Sequence, residues 1–387
     1  MTTAPPERGH HGPWRWINGT MPEVDERALK VPVVGFVEYC LRGIGQVVFM
    51  NSPITGAFIL LAAWLQQPWL GFGATVGVVA STLAALALGF DRDAIHAGLY
   101  GFNGVLTGLG LALFLAPEWD GIVILWIILL SAVSSILMAA LAAAFGGSWG
   151  VPPFTLAFNI TTLLFLITAL HITRGRLSDA IAPAAPEVNG PAVRTSLRAS
   201  ADAVGNTDVV AVINAIFRGI GQLFFCNSLL AGVLIIVGIA FCSRIAAIFA
   251  LVGSAVGMLT GMALGANGVL IYNGLWGFNS FDAALAIAGV FYVLTWRSAV
   301  LGVLCAIFTA LLFGAIGSIF VPWGLPALTL PFCFGTLTFV LLKNTSKYFE
   351  WVPPAEVVTP EEHLRRAHRE HAMASSGNPQ REKTDTA

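Results

Sequence analysis

The sequence predicts an all-α polytopic membrane protein made of two inverted repeats, each with five transmembrane helices plus one re-entrant half-helix, and with a pore at the repeat interface. Composition is the first reason. Of 387 residues, 56% are hydrophobic and only 11% are charged, whereas a soluble chain carries about a quarter charged residues. The second reason is that three blocks of sequence occur twice in the same order. Segments that cross hydrocarbon must be helical, because no water there can satisfy an open backbone.

Polar segments divide the chain around its apolar runs. We predict, in order, a polar N-terminal arm, a first membrane repeat, a polar linker, a second membrane repeat and a polar, disordered C-terminal tail. Their bounds are 1–32, 33–172, 173–208, 209–343 and 344–387. The arm lacks the basic start and short apolar stretch of a signal peptide. The tail has the charged composition of segments that cannot bury a core.

The duplication is visible in polar residues that chance similarity between apolar segments would not preserve. The block Arg-Gly-Ile-Gly-Gln at 42–46 recurs 176 positions later (218−42). The block Gly-Leu-Tyr-Gly-Phe-Asn at 98–103 recurs at the same offset (274−98), with Trp in place of Tyr. A third block, at 149–156, recurs 174 positions later (323−149). One unit is therefore present twice, with two residues lost between the second and third blocks.

Each repeat is predicted to begin with one broken segment, which five spans follow. The first repeat has segments at 33–50, 53–66, 71–90, 97–115, 122–145 and 151–171. The second has segments at 209–226, 228–242, 244–264, 270–291, 298–320 and 324–342. The broken segments are too short and too polar to cross alone, since each contains an arginine and a Gly-Ile-Gly-Gln run. We therefore predict re-entrant half-helices, which are tolerated only where protein or an aqueous cavity shields them.

An odd number of spans in each repeat predicts the membrane topology. It places the second repeat upside down relative to the first, with a pseudo-two-fold axis in the membrane plane. With both termini in the cytoplasm, Arg92, Arg244 and Arg297 fall in cytoplasmic loops, and the short outer loops contain no Lys or Arg. That charge distribution follows the positive-inside rule, and the arginines of the long linker weaken it little. We expect a multi-pass protein of the plasma (inner) membrane, surrounded by lipid.

Inverted-repeat proteins place their site at the midplane between the halves, so repeated polar and aromatic residues are the pore candidates. They are Gln46, Gln222, Phe49, Phe225, Phe102, Phe278, Thr155 and Thr329. A glutamine amide accepts and donates without charge, phenyl faces supply flat apolar walls, and a hydroxyl can bridge sites along a pore. Each type has a structural alternative: glutamine satisfying broken backbone, phenylalanine in the core or facing lipid, and threonine bonding its own backbone.

Other polar residues are interpreted as structural. Four asparagines are expected to cap or brace broken helices: Asn51, Asn227, Asn103 and Asn279. Arg42 and Arg218 are expected to bond to carbonyls or to Glu38, since an unpaired buried charge is expensive. The five cysteines lie in or beside apolar runs without close pairing, which is typical of small buried thiols.

No enzyme constellation is present in the sequence. It contains no nucleotide-binding loop, no His/Cys metal cluster and no nucleophile with a base, so we predict no enzymatic activity, metal site or cofactor. The spans lack the several carboxylates typical of proton or sodium relays. A net charge of −1 argues neither for nor against nucleic acid, which is not an expected partner.

The repeated blocks resemble the urea transporter family. The resemblance lies in the Gly-Gln-x-x-Phe run, the Gly-Leu-Tyr/Trp-Gly-Phe-Asn box and the Leu-Pro-x-x-Thr-x-Pro-Phe box at 325–332, and it covers about 33–343. The first-half copy of the last box departs from the pattern, with Val151 and Ala157 replacing Leu and the second Pro. The resemblance implies a homotrimer with one passive, cofactor-free pore per subunit for urea or a closely related small neutral amide. It implies a pore lined by Gln46, Val47, Phe49, Phe102, Leu106, Thr155, Gln222, Leu223, Phe225, Phe278 and Thr329.

One position departs from the family in a way that concerns the solute. The family usually has an apolar residue, commonly Leu, four positions after the second-half Phe, and here that position is Asp282, opposite Leu106. A carboxylate at the midplane is a functional candidate by default, so Asp282 joins the predicted site. It leaves open a channel for ammonium or another cation, or a proton-coupled carrier. A membrane sensor or scaffold without flux is the other alternative.

Overall fold

The computed structural model describes residues 31–184 and 208–375, and within them the chain is mostly helical. The first repeat contains α1 (Pro32–Gln46), α2 (Pro53–Gln66), α3 (Pro68–Ala87), α4 (Arg92–His96), α5 (Phe102–Phe114), α6 (Gly121–Trp149) and α7 (Leu156–Ala169). The second contains α8 (Asp208–Gln222), α9 (Leu229–Cys242), α10 (Arg244–Ala263), α11 (Gly268–Tyr272), α12 (Phe278–Leu285), α13 (Trp296–Phe320) and α14 (Leu330–Val340). Strand β1 (Leu115–Ala116) pairs antiparallel with β2 (Arg176–Leu177), and α15 (Pro360–Ser375) follows the second repeat.

Parts of three predicted segments lie outside the described residues. They are positions 1–30 of the polar arm, 185–207 of the linker and 376–387 of the tail.

The helix boundaries repeat with the offsets of the sequence blocks. Helices α8 to α12 each begin 176 positions after α1 to α5 (208−32, 229−53, 244−68, 268−92 and 278−102). Helix α14 begins 174 positions after α7 (330−156). The duplicated unit predicted from sequence is thus a duplicated order of helices.

Local sequence explains where the helices begin. Proline is the first residue of α1, α2 and α3, a position where its missing N–H costs nothing and its fixed φ suits a helix. Ser52 and Ser228 accept from backbone N–H groups three residues on, at the starts of α2 and α9. Asp120 caps α6 in the same manner. These caps satisfy donors that the first helical turn leaves without partners.

Four helices are long and apolar enough to cross a bilayer by themselves. They are Pro68–Ala87, Gly121–Trp149, Arg244–Ala263 and Trp296–Trp323, the last including a 3₁₀ turn after α13. The other apolar helices in the described chain are shorter than the ~20 residues that a bilayer requires. The predicted spans 97–115 and 270–291 are therefore wrong as continuous helices.

Two glycines explain those interruptions. Gly98 and Gly274 have φ of 77° and 79°, a left-handed conformation that favours glycine. A Cβ on Gly98 would overlap the backbone of Arg42 and Gly43, and a Cβ on Gly274 would overlap the equivalent backbone of α8. The breaks thus let the ends of α1 and α8 approach the turns that precede α5 and α12.

Within each repeat two helices pack closely at a contact between one glycine and one serine, and the two repeats carry these residues on opposite helices. A Cβ on Gly104 in α5 would overlap the side chain of Ser81 in α3. In the second repeat the order is reversed: Gly257 stands where the first has Ser81 (257−81 = 176), and Ser280 where it has Gly104 (280−104 = 176). A Cβ on Gly257 would overlap the side chain of Ser280. Each contact therefore has room for one serine side chain and not for two.

The repeats also pack on each other through equivalent helices. Thr55 Oγ1 of α2 donates to the carbonyl of Gly238 in α9 at 2.8 Å, and Phe58 stacks on Phe241 with ring centroids 5.5 Å apart. One continuous hydrophobic core contains residues of both repeats. The halves are therefore parts of one packed body.

The structure differs from the expectation of a disordered tail between 344 and 375, where α15 docks on the second repeat. Glu361 is its anchor: Oε2 accepts from Ser243 Oγ at 2.6 Å, and Oε1 accepts from Ile245 N at 2.9 Å. Both donors lie at the start of α10, where a carboxylate is favourable beside the exposed N–H groups. Polar composition misled the prediction, because these few contacts suffice to hold the helix.

A buried histidine forms the second anchor. His363 Nε2 accepts from Val358 N at 3.0 Å, so Nδ1 carries the proton and donates to the carbonyl of Gly289 at 2.8 Å. Burial lowers the pKa of His363, with Arg366 acting in the same direction and the Gly289 hydrogen bond and Glu362 opposing it. The imidazole is therefore held in its neutral form.

Candidate functional site

The two repeated glutamines lie at the last residues of α1 and α8. Gln46 Nε2 donates to the Ala97 carbonyl at 2.8 Å, and Gln222 Nε2 donates to the equivalent Asn273 carbonyl at 2.9 Å. Each amide thus satisfies the broken backbone near Gly98 or its counterpart, which was the structural alternative. The same bond fixes the amide and leaves its Oε1 as an acceptor. Structural support and solute binding are compatible in these residues.

The backbone after each glutamine places a phenylalanine in an unusual conformation. Phe49 and Phe225 have φ of 60° and 57°, a region that bulky residues rarely adopt. Phe154 and Leu328, which directly precede the two predicted pore threonines, have φ of 53° and 48°. Such strain costs about 1–3 kcal/mol at each residue and clusters at functional sites. Its occurrence in both repeats indicates that the directions of these side chains are important.

Each of these phenylalanines packs against rings of the other repeat. Phe49 contacts Phe291 and Phe332, with centroid distances of 5.4 and 6.2 Å. Phe225 contacts Phe114 and Phe158, with distances of 5.7 and 6.4 Å. The rings stand edge-on or tilted rather than as a parallel stack. Apolar walls from both repeats therefore surround each glutamine end.

The two predicted pore threonines meet. Thr155 Oγ1 and Thr329 Oγ1 are 2.6 Å apart, and both residues are 2% exposed. They are equivalent positions (329−155 = 174), and each immediately precedes the last apolar helix of its repeat. The contact therefore joins equivalent positions of the two repeats. We name Thr155 and Thr329 the threonine pair.

Two residues that the sequence reasoning missed complete a polar cluster around the threonine pair. Asn159 Nδ2 donates to Thr329 Oγ1 at 2.8 Å and Oδ1 accepts from Thr329 N at 3.0 Å. Cys333 Sγ is 3.2 Å from Thr155 Oγ1. Asn159 and Cys333 are also equivalent (333−159 = 174), one helical turn after each threonine. Their fixed spacing was a usable signal, but the different residue types concealed it.

Asn103 and Asn279 brace the broken helices as predicted. Asn103 Oδ1 accepts from Phe158 N at 2.9 Å, and Asn279 Oδ1 accepts from Phe332 N at 3.2 Å. Both acceptors satisfy N–H groups in the first turns of α7 and α14. They link α5 and α12, which carry Phe102 and Phe278, to the helices that follow the threonine pair.

The arginines of α1 and α8 have different partners. Arg42 donates to Glu38 Oε1 from Nε at 2.9 Å and from Nη2 at 2.6 Å, and Nη1 donates to Asn51 Oδ1 at 2.8 Å, as predicted. Arg218 donates to Asn273 Oδ1 at 3.0 Å and lies 4.5 Å from the centre of the Tyr272 ring. Both guanidinium groups support the Gly-rich end of a short helix.

A cavity of about 990 Å³ reaches the threonine pair from the second-repeat side. Five predicted site residues line it: Gln222, Leu223, Phe225, Phe278 and Thr329. Phe114 and Phe158 of the first repeat line it too. It is therefore a largely apolar cavity between the repeats whose lining includes one residue of the threonine pair.

The remaining predicted site residues are buried in the same central core. Val47, Leu106 and Asp282 are 2%, 0% and 0% exposed, and Phe102 is 7% exposed, as is its equivalent Phe278. Neither carboxyl oxygen of Asp282 has a hydrogen-bond partner in the described part of the chain.

The cluster around the threonine pair contains hydroxyl, amide and thiol groups, and this set can hydrogen-bond a small polar solute. All five cysteines are buried and free, as predicted. Among residues 31–184 and 208–375, no group of three or more His, Cys, Asp or Glu could hold a metal ion.

The family model that matches the chain is described as "Urea transporter" and covers residues 37–344. The chain belongs to the urea transporter family. Urea transporter 1 of Ovis aries is 33% identical over 353 residues, which are 90% of this chain and 88% of the relative. Urea transporter 1 of Rattus norvegicus is 34% identical over 352 residues with the same coverage. The family predicted from the repeated boxes is thereby confirmed, and with it a transport protein of the membrane.

Proposed function

We propose that this protein conducts urea, or a closely related small neutral amide, passively through a narrow pore between its two repeats. Members of the family are channels and not enzymes. The observation that supports this site best is the threonine pair, in which equivalent hydroxyls of the two repeats are 2.6 Å apart. Each repeat also contributes a phenylalanine in a left-handed conformation and a glutamine that donates to a backbone carbonyl.

The chemistry of the cluster suits urea. Urea is flat and neutral, with N–H donors at its edges and one carbonyl oxygen. Phenyl faces form walls that admit a planar solute, while Oε1 of Gln46 and Gln222 accepts its N–H groups. The hydroxyls of the threonine pair both donate and accept, so they replace lost water contacts at the narrowest point. Ions gain little there, because dehydrating a charge costs far more than a few neutral dipoles return.

The proposed pore is lined from both repeats. Its residues are Gln46, Val47, Phe49, Phe102, Leu106, Thr155, Gln222, Leu223, Phe225, Phe278, Asp282 and Thr329. Within each repeat we propose one re-entrant half-helix, α1 or α8, and five segments that cross the membrane, several of them interrupted. The contact between equivalent threonines supports a two-fold relation, and the odd number of crossings makes the second repeat inverted.

We further propose the assembly and location that follow from the family and the charge distribution. The protein is a homotrimer with one pore in each subunit. It lies in the plasma (inner) membrane with both termini in the cytoplasm, as the loop arginines favour. The domain bounds 33–172 and 209–343 correspond to the two repeats.

Urea uptake into proteoliposomes tests the proposal. The double variant Gln46→Ala/Gln222→Ala should lower the urea permeability roughly thirtyfold, since it removes two acceptors that are each worth about 1 kcal/mol. Gln67→Ala is the matched control, because Gln67 bonds only to Glu118 at an exposed position, and it should leave uptake unchanged. Wild-type vesicles that take up urea no faster than empty vesicles would contradict the function. Rapid uptake that survives in the double variant would contradict this placement of the pore.

A further inference from the structure

Asp282 occupies a position that is apolar in the first repeat. Its counterpart is Leu106 (282−106 = 176), and both side chains are 0% exposed. On α12 it lies four residues after Phe278, on the same helical face and one turn deeper. Phe278 lines the cavity, whereas Asp282, like Leu106 and Thr155, is closed from it in this structure.

The helix that carries Asp282 packs beside the cluster around the threonine pair. Helix α12 packs against α14, which carries Cys333, and Asn279 of α12 donates to the carbonyl of Leu328, directly before Thr329, at 3.1 Å. Cys333 Sγ is in turn 3.2 Å from Thr155 Oγ1 and 3.6 Å from Asn159 Nδ2. Asp282 thus lies on the helix that braces the threonine pair.

No group in the described residues compensates a charge at this position. Both oxygens are buried without a hydrogen-bond donor, and the ion pairs in this part of the chain involve only Glu38 and Glu362. An isolated carboxylate in such surroundings is prohibitively costly, and an acid there takes up a proton. A protonated carboxyl group has one O–H donor and a carbonyl acceptor.

We propose that Asp282 is a neutral carboxylic acid that selects solutes carrying an N–H group beside a carbonyl oxygen. This rests on the proposed function and deepens it. The O–H donates to the solute carbonyl while the acid carbonyl accepts a solute N–H, so an amide or a urea pairs with the acid through two hydrogen bonds. An ionised carboxylate would have the opposite selectivity, because it would attract ammonium and similar cations.

The test compares Asp282→Asn and Asp282→Leu with wild type for uptake of urea and of methylammonium into proteoliposomes. Asn stays neutral and keeps a donor and an acceptor, so urea uptake should stay within about twofold of wild type. Leu, the residue of the first repeat at this position, removes both groups, so urea uptake should fall about thirtyfold, the factor for two hydrogen bonds of ordinary net strength. Methylammonium should not permeate any of the three. Asp93→Asn, at an exposed carboxylate, is the matched control.

Infrared spectroscopy supplies a readout that a merely structural role would not change. Wild type should show the C=O stretch of a protonated acid, and Asp282→Asn should lack it. Loss of fold in Asp282→Leu, visible as a changed thermal transition, would leave the Asn variant and the spectrum to decide. Methylammonium uptake that disappears in Asp282→Asn, or a spectrum without the acid band, would overturn the proposal. Unchanged urea uptake in folded Asp282→Leu would also overturn it while the channel function stands, whereas absent wild-type uptake would refute the function.

Discussion

The contact between Thr155 and Thr329 makes a quantitative prediction for a pair of Thr→Val variants. Thr329→Val keeps the shape of the side chain but removes the 2.6 Å bond to Thr155 and the 2.8 Å bond from Asn159. Two net hydrogen bonds are worth about 2 kcal/mol of stability. Thr155→Val removes the same shared bond and the weaker contact with Cys333. The shared bond is counted in both single variants, so the double variant should cost about 1 kcal/mol less than their sum.

The urea flux should also fall in these Thr→Val variants. Each hydroxyl that urea can bond at the threonine pair lowers its barrier by about 1 kcal/mol, so each single variant should reduce urea permeability roughly fivefold. The assays are thermal unfolding of the purified protein and stopped-flow urea uptake by the same four proteins. Thr161→Val is the matched control, since Thr161 Oγ1 bonds only to the carbonyl of Ala157 in its own helix. Strictly additive stability losses, or a permeability no lower than that of Thr161→Val, would refute the reasoning.

Two further predictions concern the C-terminal helix and the packing of the first repeat. His363 is neutral when α15 is docked, and its pKa is lowered from 6.5. The unfolded state therefore binds the extra proton first, and stability is present above about pH 6.5 and declines as pH falls. The hydrogen-exchange protection factors of amides in α15 should fall on acidification in wild type but not in His363→Gln, and equal pH dependence would contradict this. Gly104→Ser should lower the unfolding temperature through overpacking worth about 1–3 kcal/mol, and adding Ser81→Gly should recover part of the loss, because the Gly77 carbonyl oxygen remains 2.7 Å from the new Cβ. A double variant as unstable as Gly104→Ser would show that the exchanged pair is not the cause.

Much of the fold could be predicted from the sequence because the chain contains the same unit twice, so that equivalent segments can be identified by comparing its two halves. A constant offset of 176 located equivalent helices without any alignment, and the Gly-Ile-Gly-Gln ends marked where α1 and α8 stop. Apolar composition predicted helices but not their continuity, since a glycine with positive φ such as Gly98 looks like any other glycine in an apolar run. The tail was misjudged for a similar reason, because docking of α15 depends on individual contacts of Glu361 and His363 and not on composition.

The sequence indicated candidate residues most clearly where the two repeats kept the same residue. The glutamines, phenylalanines and threonines became candidates because each occurs twice. Asn159 and Cys333 are partners in the same cluster, but as an amide opposite a thiol they leave no repeated pattern. That the two threonines touch could not be derived from their spacing, because it depends on how one repeat packs against the other.

Urea uptake measured under controlled gradients tests the central proposal most directly. Purified protein in sealed vesicles is given equal urea gradients directed inward or outward, with proton, sodium and electrical gradients either imposed or removed by ionophores. A passive pore between the repeats predicts a rate that follows the urea gradient in both directions, carries no current and does not change when the ion gradients are removed. Uptake that needs an ion gradient, or that accumulates urea above its outside concentration, would contradict it.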